Sequence, residues 1–256
     1  MREIVSKDNR IYKNCEQLTH RKYRDRLGRY LIEGENLLAE AVKTGADIQT
    51  VLLRRGCDRL PAALVDKAFV LDERLFDRLA QTETSQGLLA VVAKPTADKA
   101  DFVQTPGNFI VLDRLQDPGN IGTIIRTADA AGYSLAVIMK GTADVFSPKT
   151  VRAATGSLFR MPVVFLDSVS ELSEFTKAAG KKLVATCFDT QCYYFDVDLT
   201  DNIALVIGNE GNGISSEIIE SSDIRIKIPM HGSIESLNAS VAAGILMYEA
   251  VRGNKA

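Results

Sequence analysis

Three separated segments in the second half of the chain carry residue types that could do chemistry. The first, which begins QDPGNIG, contains a Pro-Gly pair that sets up a tight turn, because Pro118 fixes φ and Gly119 accepts a positive φ. Asn120 then stands where its side chain could cap a helix that begins at Ile121. The segment therefore predicts a turn that is followed at once by a capped helix.

Arg126 is the candidate functional group on this helix, one turn beyond Gly122. Helical side chains lean over the preceding turn, and a glycine there leaves space for the guanidinium to reach back toward Asn120. The alternative is a surface arginine paired with Asp129, an interaction of about a few tenths of a kcal/mol. The two glycines and the asparagine gathered around the arginine favour a functional role.

The second segment, LVIGNEGNGIS, is an apolar run followed by a glycine-rich loop and the start of a helix. Gly208, Gly211 and Gly213 permit a sharp turn and a close approach of the backbone, either to a ligand or as a purely structural connection. The spacing is not that of the dinucleotide motif GxGxxG, and the lysine of a P-loop is missing. Because Glu210 would repel a phosphate, the loop favours an uncharged or cationic ligand, such as a nucleoside that bears a sulfonium.

The third segment follows an apolar run that ends at Ile228-Pro229-Met230. Its loop carries Glu235, Ser236 and Asn238, whose side chains could contact a ligand or simply cap the helix that follows. Small residues between positions 240 and 244 permit that helix to pack closely on another backbone, either in the protein core or at a subunit interface.

Six apolar, β-branched runs alternate with helical stretches in the second half of the chain. The runs are NFIVLD, SLAVIMK, MPVVFL, KKLVATCF, NIALVIG and DIRIKIPM. The helical stretches cover about residues 121–131, 148–156, 168–179, 215–221 and 238–252. Continuous apolar strands separated by helices indicate a parallel sheet covered on both faces, in which ligands bind at the carboxyl ends of the strands.

The front of the chain has the pattern of a smaller alternating α/β unit. Its predicted elements are a helix over about residues 15–28 that Gly28 stops, a helix in ENLLAEAVKTG, a helix from Glu73 to about Ala80, and the strands RYLIEG, TVLLRR, AFVLD and GLLAVVAK. Residues 95–107 contain two prolines and little periodicity, which is typical of a linker. We therefore predict two domains, residues 1–105 and 108–256, with the boundary near residue 105.

Composition indicates a globular protein, since 46% of the 256 residues are hydrophobic and 25% are charged. Four cysteines without a CxxC pair and only two histidines favour unpaired thiols in a reducing compartment and predict no metal site. The chain starts without an apolar signal segment and has no run long enough to span a bilayer, so we expect a cytoplasmic protein that does not engage a membrane.

Taken together, the segments DPGNIGTIIRTADAAG, VIGNEGNGIS and IPMHGSIESLNASVA resemble the SpoU (TrmH-like) branch of the SPOUT RNA methyltransferases in order and spacing. The resemblance covers about residues 108–252, and Ala239 is a slight departure, because a larger aliphatic residue is common there. The front of the chain is similar to the substrate-binding domain often fused to this family, with a fold like that of a ribosomal RNA-binding protein. The resemblance implies an α/β domain with a trefoil knot, a rare exception among folds, and a homodimer formed through the C-terminal domain with the active site at the interface.

The resemblance also implies a cofactor and a reaction. The cofactor would be S-adenosylmethionine, held by Gly208, Ile228 and Leu237 with Met230 nearby, and its methyl group would pass to a ribose 2′-hydroxyl of structured RNA. The polar catalytic cluster implied by the family consists of Asn120, Arg126, Glu210, Ser236 and Asn238. The two-domain layout favours 23S ribosomal RNA as the substrate, with transfer RNA and a non-catalytic RNA-binding or ribosome assembly factor as alternatives.

The resemblance implies that Arg126 activates the ribose hydroxyl, either as a base or as an anchor for the phosphate. A base would have to lose its proton, which a guanidinium in a protein almost never does. As an anchor, Arg126 would hold the target phosphate and stabilise the developing alkoxide, while the proton passes to another group or to water. Asn120 would orient the arginine.

A basic segment at the front of the chain supplies candidate RNA contacts. The net charge is −2, yet residues 1–29 hold nine Lys and Arg against four Asp and Glu, whereas residues 106–256 hold thirteen against seventeen. Tyr12 and Tyr23 lie between the cations and could stack on unpaired bases. The cations predicted to contact RNA phosphates are Lys13, Arg21, Lys22, Arg24 and Arg26. The alternative for each of them is a solvated helical face.

Overall fold

The computed structural model describes residues 2–82, 84–95 and 98–253, which form two compact units. The first unit contains the described residues up to Pro95 together with Asp144–Phe159, and the second unit contains the other described residues. The domain boundary near residue 105 stays a prediction, and residues 96 and 97 of the predicted linker lie outside the described residues. The two units are not two continuous stretches of sequence, because a segment from the second half of the chain belongs to the first unit.

The first unit is built on one mixed sheet and several short helices. Its strands are β1 (Arg2–Ile4), β2 (Arg29–Glu33), β3 (Ile48–Arg54), β4 (Ala68–Leu71) and β5 (Leu88–Ala93). The helices between them are α1 (Arg10–Gln17), α2 (Arg21–Leu27), α3 (Glu35–Lys43) and α4 (Glu73–Leu79). The strand order is β1-β4-β3-β5-β2, with β5 antiparallel to both of its neighbours and the other pairs parallel.

The front helix differs from its prediction, because the stretch predicted as one helix contains α2 and only the last three residues of α1. The two helices are separated at residues 18–20, and α2 ends as predicted at Gly28, whose φ is +60°. On α1, Tyr12 and Cys15 are buried, and they pack with Leu18 in the core of the first unit. The strand β1 was not predicted, because three residues paired only along the edge of a sheet give no recognisable alternation.

The second unit is built on a six-stranded parallel sheet. Its strands are β6 (Phe109–Leu112), β7 (Leu135–Met139), β8 (Val163–Leu166), β9 (Lys182–Thr186), β10 (Ile203–Ile207) and β11 (Ile224–Ile226). The helices in this half of the chain are α5 (Pro118–Ala130), α6 (Pro148–Ala154), α7 (Val169–Ala178), α8 (Ser216–Ser221) and α9 (Ala239–Gly253). The strand order is β11-β9-β10-β6-β7-β8, and every pair is parallel, which confirms the predicted sheet.

The central strands β6 and β10 are buried along their whole length, as continuous apolar runs require. Side chains of β6, β7 and β10 form one core with Leu172 of α7 and Ile218 of α8. Two further helices, α5 and α9, pack against each other. A β-carbon added at Gly244 of α9 would lie 4.0 Å from Thr127 Cγ2 of α5, so core packing accounts for at least part of the small-residue pattern.

The segment Asp144–Phe159 contains α6 and belongs to the first unit. The Tyr30 and Phe146 rings pack with their centroids 5.0 Å apart. The buried Arg24 guanidinium donates from Nε and Nη2 to Asp144 Oδ2, at 2.8 and 2.6 Å. Its Nη1 donates to the carbonyl oxygens of Leu18 and Thr19, at 2.8 and 2.9 Å. These contacts fix the segment against α2 and β2.

Two properties of the described residues complete the fold. No helix among them has both the length and the apolarity needed to cross a bilayer. Within the same residues, no cluster of three or more His, Cys, Asp or Glu side chains could hold a metal ion. All four cysteines are free thiols, and burial raises the pKa of the Cys15 thiol to about 12.

Candidate active site

Three loops meet at one edge of the parallel sheet. They follow β6 (residues 113–117), β10 (residues 208–215) and β11 (residues 227–238). Because the strands are parallel, their carboxyl ends lie along the same edge, where open α/β sheets bind ligands. The predicted catalytic and cofactor-binding residues lie in these loops or on α5.

The turn before α5 differs from its prediction in one respect. The helix begins at Pro118, and the capping residue is Asp117, whose Oδ1 accepts from the Asn120 N–H at 2.9 Å. Both Asp117 and Asn120 are capping types, and the proline decides between them, because it is favoured at the first helical position. Gly119 accordingly does not have a positive φ. The Asn120 side chain has no capping role at this helix.

A chain of hydrogen bonds joins the three loops through Asn120. Its Nδ2 donates to Glu210 Oε1 at 3.2 Å, and its Oδ1 accepts from Asn238 Nδ2 at 3.0 Å. Asn238 Oδ1 also accepts from the backbone N–H of Ser240 at 2.9 Å. Asn238 therefore caps the start of α9, one of the two roles that its sequence position left open, and it also contacts α5 through Asn120. Its predicted contact with a ligand stays a prediction.

Glu210 acts as a clamp on the turn that precedes α5. Its Oε2 accepts from the Gln116 N–H and its Oε1 from the Asp117 N–H, both at 3.1 Å. Burial by itself would raise the pKa of the Glu210 carboxyl, but the donors of Gln116, Asp117 and Asn120 outweigh it and hold the pKa below its usual value. Glu210 is therefore a carboxylate at neutral pH.

The glycine-rich loop closes tightly on itself. A β-carbon at Gly208 would overlap the backbone nitrogen of Ile214 and the carbonyl carbon of Gly213, so only glycine fits there. Asn209 and Gly213 exchange two backbone hydrogen bonds, at 3.0 and 2.9 Å. Gly213 has a φ of +66°, which favours glycine at this position too.

Asn209 is a residue of this loop that the sequence analysis missed. Its Oδ1 accepts from the N–H groups of Gly211 and Asn212, both at 3.0 Å, and its Nδ2 donates to the Arg114 carbonyl oxygen at 2.8 Å. An asparagine before a glycine-rich turn was the available signal, because such side chains hydrogen-bond to the backbone two residues on.

Arg126 is exposed, and its side chain has no hydrogen bond or ion pair with any described residue. The alternative pairing with Asp129 is wrong, because Asp129 Oδ2 accepts instead from Arg160, at 3.0 and 2.7 Å. The expected contact with Asn120 is not formed either. Six residues of helix separate the two, about 9 Å along the axis at 1.5 Å per residue.

The loop after β11 holds most of the residues predicted to bind a cofactor. Ile228, Met230 and Leu237 are partly exposed, and Ser236 is exposed. Within the described part of the chain, no backbone hydrogen bond involves residues 228–237. Their C=O groups, and the N–H groups of all of them except Pro229, are thus available to a polar ligand.

The predicted RNA contacts in the first unit are not equivalent. Arg24 is only 4% exposed and has four hydrogen bonds inside the protein, so we withdraw it as a phosphate contact. Tyr12 is fully buried and cannot stack on a base. Tyr12, Cys15 and Leu18 recur every three residues, and that spacing was the available signal of a buried face.

Four predicted cations remain at the surface of the first unit. Lys13 pairs with Asp8 at 2.7 Å and Arg21 with Asp25 at 3.5 Å.

The Arg26 guanidinium lies 4.8 Å from the centre of the Tyr23 ring. Lys22 is exposed and has no ion pair with a described residue.

Both halves of the chain match known protein families. The SpoU rRNA Methylase family matches residues 107–248, and the MRM3-like substrate binding domain matches residues 9–90. A 23S rRNA (guanosine(2553)-2′-O)-methyltransferase, RlmP, from Bacillus subtilis is 38% identical over 97% of this chain and 98% of its own length.

Solved structures are also similar to this chain over nearly its whole length. An AdoMet-bound rRNA methyltransferase from Sinorhizobium meliloti superposes with a TM-score of 0.90 and 31% identity, covering 100% of this chain and 99% of its own. The SpoU methyltransferase AviRb from Streptomyces viridochromogenes, in complex with AdoMet, gives a TM-score of 0.86 and 34% identity over 96% of this chain and 98% of its own. With its three loops joined through Asn120, the chain belongs to the SpoU family of RNA methyltransferases.

Proposed function

We propose that this protein transfers the methyl group of S-adenosylmethionine to a ribose 2′-hydroxyl of 23S ribosomal RNA. The observation that carries the proposal is the hydrogen-bonded chain from Glu210 through Asn120 to Asn238, which joins the three family motifs at one sheet edge. Ribosomal RNA is favoured over transfer RNA because the relative from Bacillus subtilis, matched over almost its whole length, acts on 23S rRNA by name. The intact polar cluster argues against a non-catalytic assembly factor.

The residues of the second unit fit S-adenosylmethionine. Gly208 belongs to a tightly closed backbone loop, and Ile228, Met230 and Leu237 offer apolar side chains beside uncommitted backbone groups. Glu210 contributes a negative charge, which suits a sulfonium better than a phosphate. The cofactor, when bound, supplies a methyl group that positive sulfur already activates.

The protein's own task is then to align and activate a poor nucleophile. Arg126, which has no partner among the described residues, is proposed to hold the phosphate next to the target ribose and to stabilise the developing alkoxide, with the proton lost to water or to another group. Asn120 and Asn238, already fixed by each other, would position the ribose together with Ser236. Glu210 is proposed to act through the turn that it clamps.

The proposal includes a homodimer whose interface involves α9. The exposed side chains of Val241, Tyr248 and Val251 recur along one face of this helix at spacings of seven and three residues, which suits packing against a second copy. The trefoil knot implied by the family resemblance is part of the same proposal. A cytoplasmic location is also part of the proposal.

The first unit is proposed to bind the RNA away from the target nucleotide. Among the cations predicted to contact RNA, Lys22 and Arg26 have no ion pair with a described residue, whereas Lys13 and Arg21 are in exposed ion pairs that a phosphate can replace. Tyr23, under the Arg26 guanidinium, offers a ring for stacking.

The decisive test is a map of 2′-O-methylation in ribosomal and transfer RNA from cells with and without the gene. We expect one nucleotide of 23S rRNA to lose its methyl group in the deletion strain and to regain it when the purified protein and S-adenosylmethionine are added to that RNA. Identical maps, together with no transfer by the purified protein, would refute the proposed reaction. A lost position in transfer RNA would refute the substrate alone.

A further inference from the structure

Arg114, just after β6, has an unusual backbone conformation for its residue type. Its φ is +56°, in the left-handed region that residues with a β-carbon other than Asn and Asp rarely adopt. Such strain persists where the surroundings hold the backbone, and it is concentrated at functional sites. The conformation therefore requires an explanation at this position.

Three contacts hold Arg114 in place. Its N–H donates to Thr142 Oγ1 at 3.0 Å, and its carbonyl oxygen accepts from Asn209 Nδ2 and from Gln116 Nε2, both at 2.8 Å. The aliphatic part of the side chain lies against Gly141, where a β-carbon would be only 3.1 Å from Arg114 Cγ. Arg114 is thus connected to the glycine-rich loop and to the turn that Glu210 clamps.

The guanidinium is oriented by the preceding residue, Asp113. Arg114 Nε donates to Asp113 Oδ1 at 3.1 Å and Nη2 to Oδ2 at 3.3 Å, and the Asp113 side chain is only 4% exposed. Asp113 Oδ2 also accepts from the Ser215 N–H at 2.8 Å, so the carboxylate is itself fixed. The Arg114 side chain remains 40% exposed.

The exposed side of this guanidinium can still bind an anion. A guanidinium has five N–H donors, and the bonds to Asp113 use two of them. No other described residue accepts from the rest. The Arg114 guanidinium is planar, and Asp113 already holds it in one orientation. It therefore loses little conformational freedom when it binds a phosphate bidentately.

We propose that Arg114 is a second phosphate anchor for the RNA substrate, distinct from Arg126. This inference rests on the proposed function. A single arginine fixes one phosphate and leaves the nucleotide free to turn about that contact. A second anchor at the same sheet edge fixes the direction of the RNA backbone, so that the 2′-hydroxyl is presented to the methyl donor.

The test compares wild type with Arg114→Asn and with the double variant Asp113→Asn/Arg114→Asn. Asparagine tolerates the left-handed backbone, so the single variant removes the guanidinium without adding strain. The double variant also removes the charge of the carboxylate that would otherwise be left buried without its partner. The probe is 23S rRNA from cells that lack the gene, with the full-length protein and S-adenosylmethionine.

We expect both variants to raise the KM for RNA about tenfold and to lower the slope of log K against log salt by about one. The Kd for S-adenosylmethionine should stay within about twofold, because in the proposed arrangement Arg114 contacts only the RNA. If the double variant recovers the wild-type KM and slope, Arg114 merely neutralises Asp113 and the inference is overturned.

The proposed function and this inference fail in different ways. An inactive wild type overturns both. An active wild type whose Arg114→Asn variant keeps its KM for RNA and its salt slope overturns only the role of Arg114.

Discussion

Arg24 on α2 was predicted as an RNA contact and Arg126 on α5 as a catalytic residue, both through an RNA phosphate, yet their surroundings in the structure are opposite. Arg24 is buried, with Asp144 and two backbone carbonyl groups as acceptors. Arg126 is exposed and has no partner among the described residues. A cation that is already neutralised inside the protein contributes to stability, whereas one left open is available to a substrate. Burial and partners, rather than membership of a basic cluster, separate the two roles.

The largest expected effect comes from Arg24→Ala. Removing the guanidinium leaves Asp144, whose side chain is 10% exposed, without its counter-ion, which should lower the free energy of unfolding by about 3–5 kcal/mol. Urea denaturation measures this loss. In the folded fraction, the salt dependence of RNA binding should be unchanged.

The matched control is Lys22→Ala on the same helix, where the side chain is exposed. Its stability should stay within about 0.5 kcal/mol of wild type, while the slope of log K for RNA against log salt falls by about one. If Arg24→Ala kept full stability and lost RNA affinity instead, the contrast between buried and open cations would fail.

Arg126→Ala should have the next largest effect, on turnover rather than on stability. We expect kcat to fall by about 10²–10³-fold, the range for loss of one group that stabilises charge in the transition state. The Tm and the Kd for S-adenosylmethionine should be unchanged, because Arg126 has no described partner.

Arg160→Ala provides the comparison in the same unit, because it removes a surface arginine that pairs with Asp129. Its kcat should stay within about twofold of wild type, since an exposed ion pair contributes little. Equal losses in the two variants would show that surface charge in general, and not Arg126 in particular, drives the reaction.

The smallest effect is expected for Glu210→Gln, which tests whether a carboxylate is needed to hold the turn before α5. The variant should be about 1 kcal/mol less stable at pH 7, because hydrogen bonds to a charged acceptor are stronger than those to an amide. The folded protein holds the pKa of Glu210 below its unfolded value of about 4.3.

The stabilisation by the Glu210 carboxylate is therefore present above about pH 4.3 and is lost as the pH falls through the lower folded-state value. Denaturation curves from pH 7 to pH 3 should show the difference from wild type shrinking over this interval. A constant difference for Glu210→Gln would contradict the role of its charge.

The sequence predicted the parallel sheet well, because each buried strand is a continuous apolar run and each glycine-rich turn is local. It failed where the deciding partner is distant. Nothing near Arg24 indicates that Asp144 lies beside it, since the two are separated by 120 residues. At the start of α5, Asp117 and Asn120 are both plausible caps, and only the helix geometry shows which one serves.

The candidate site was also predicted only in part: its loops were located from sequence, but their contacts were not. Glycine-rich spacing located the loop after β10, but the overlap that a β-carbon at Gly208 would cause comes from Gly213 and Ile214 and becomes visible only in three dimensions. Glu210 was assigned to the catalytic cluster, and the structure shows it bonded to the turn before α5. The strain at Arg114 has no sequence signal at all.

The first unit is built from two separated segments of the sequence, and this affects how the chain folds during synthesis. Domains tend to fold as they emerge from the ribosome, N-terminal ones first. Here not all contacts of the N-terminal unit can form when residue 95 appears, because Asp144 and Phe146 have not yet been translated. Until they arrive, the Arg24 charge lacks its counter-ion and the Tyr30 ring lacks its packing partner. By then β6 and β7 have also been made, so the last contacts of the first unit form after part of the second unit has been synthesised.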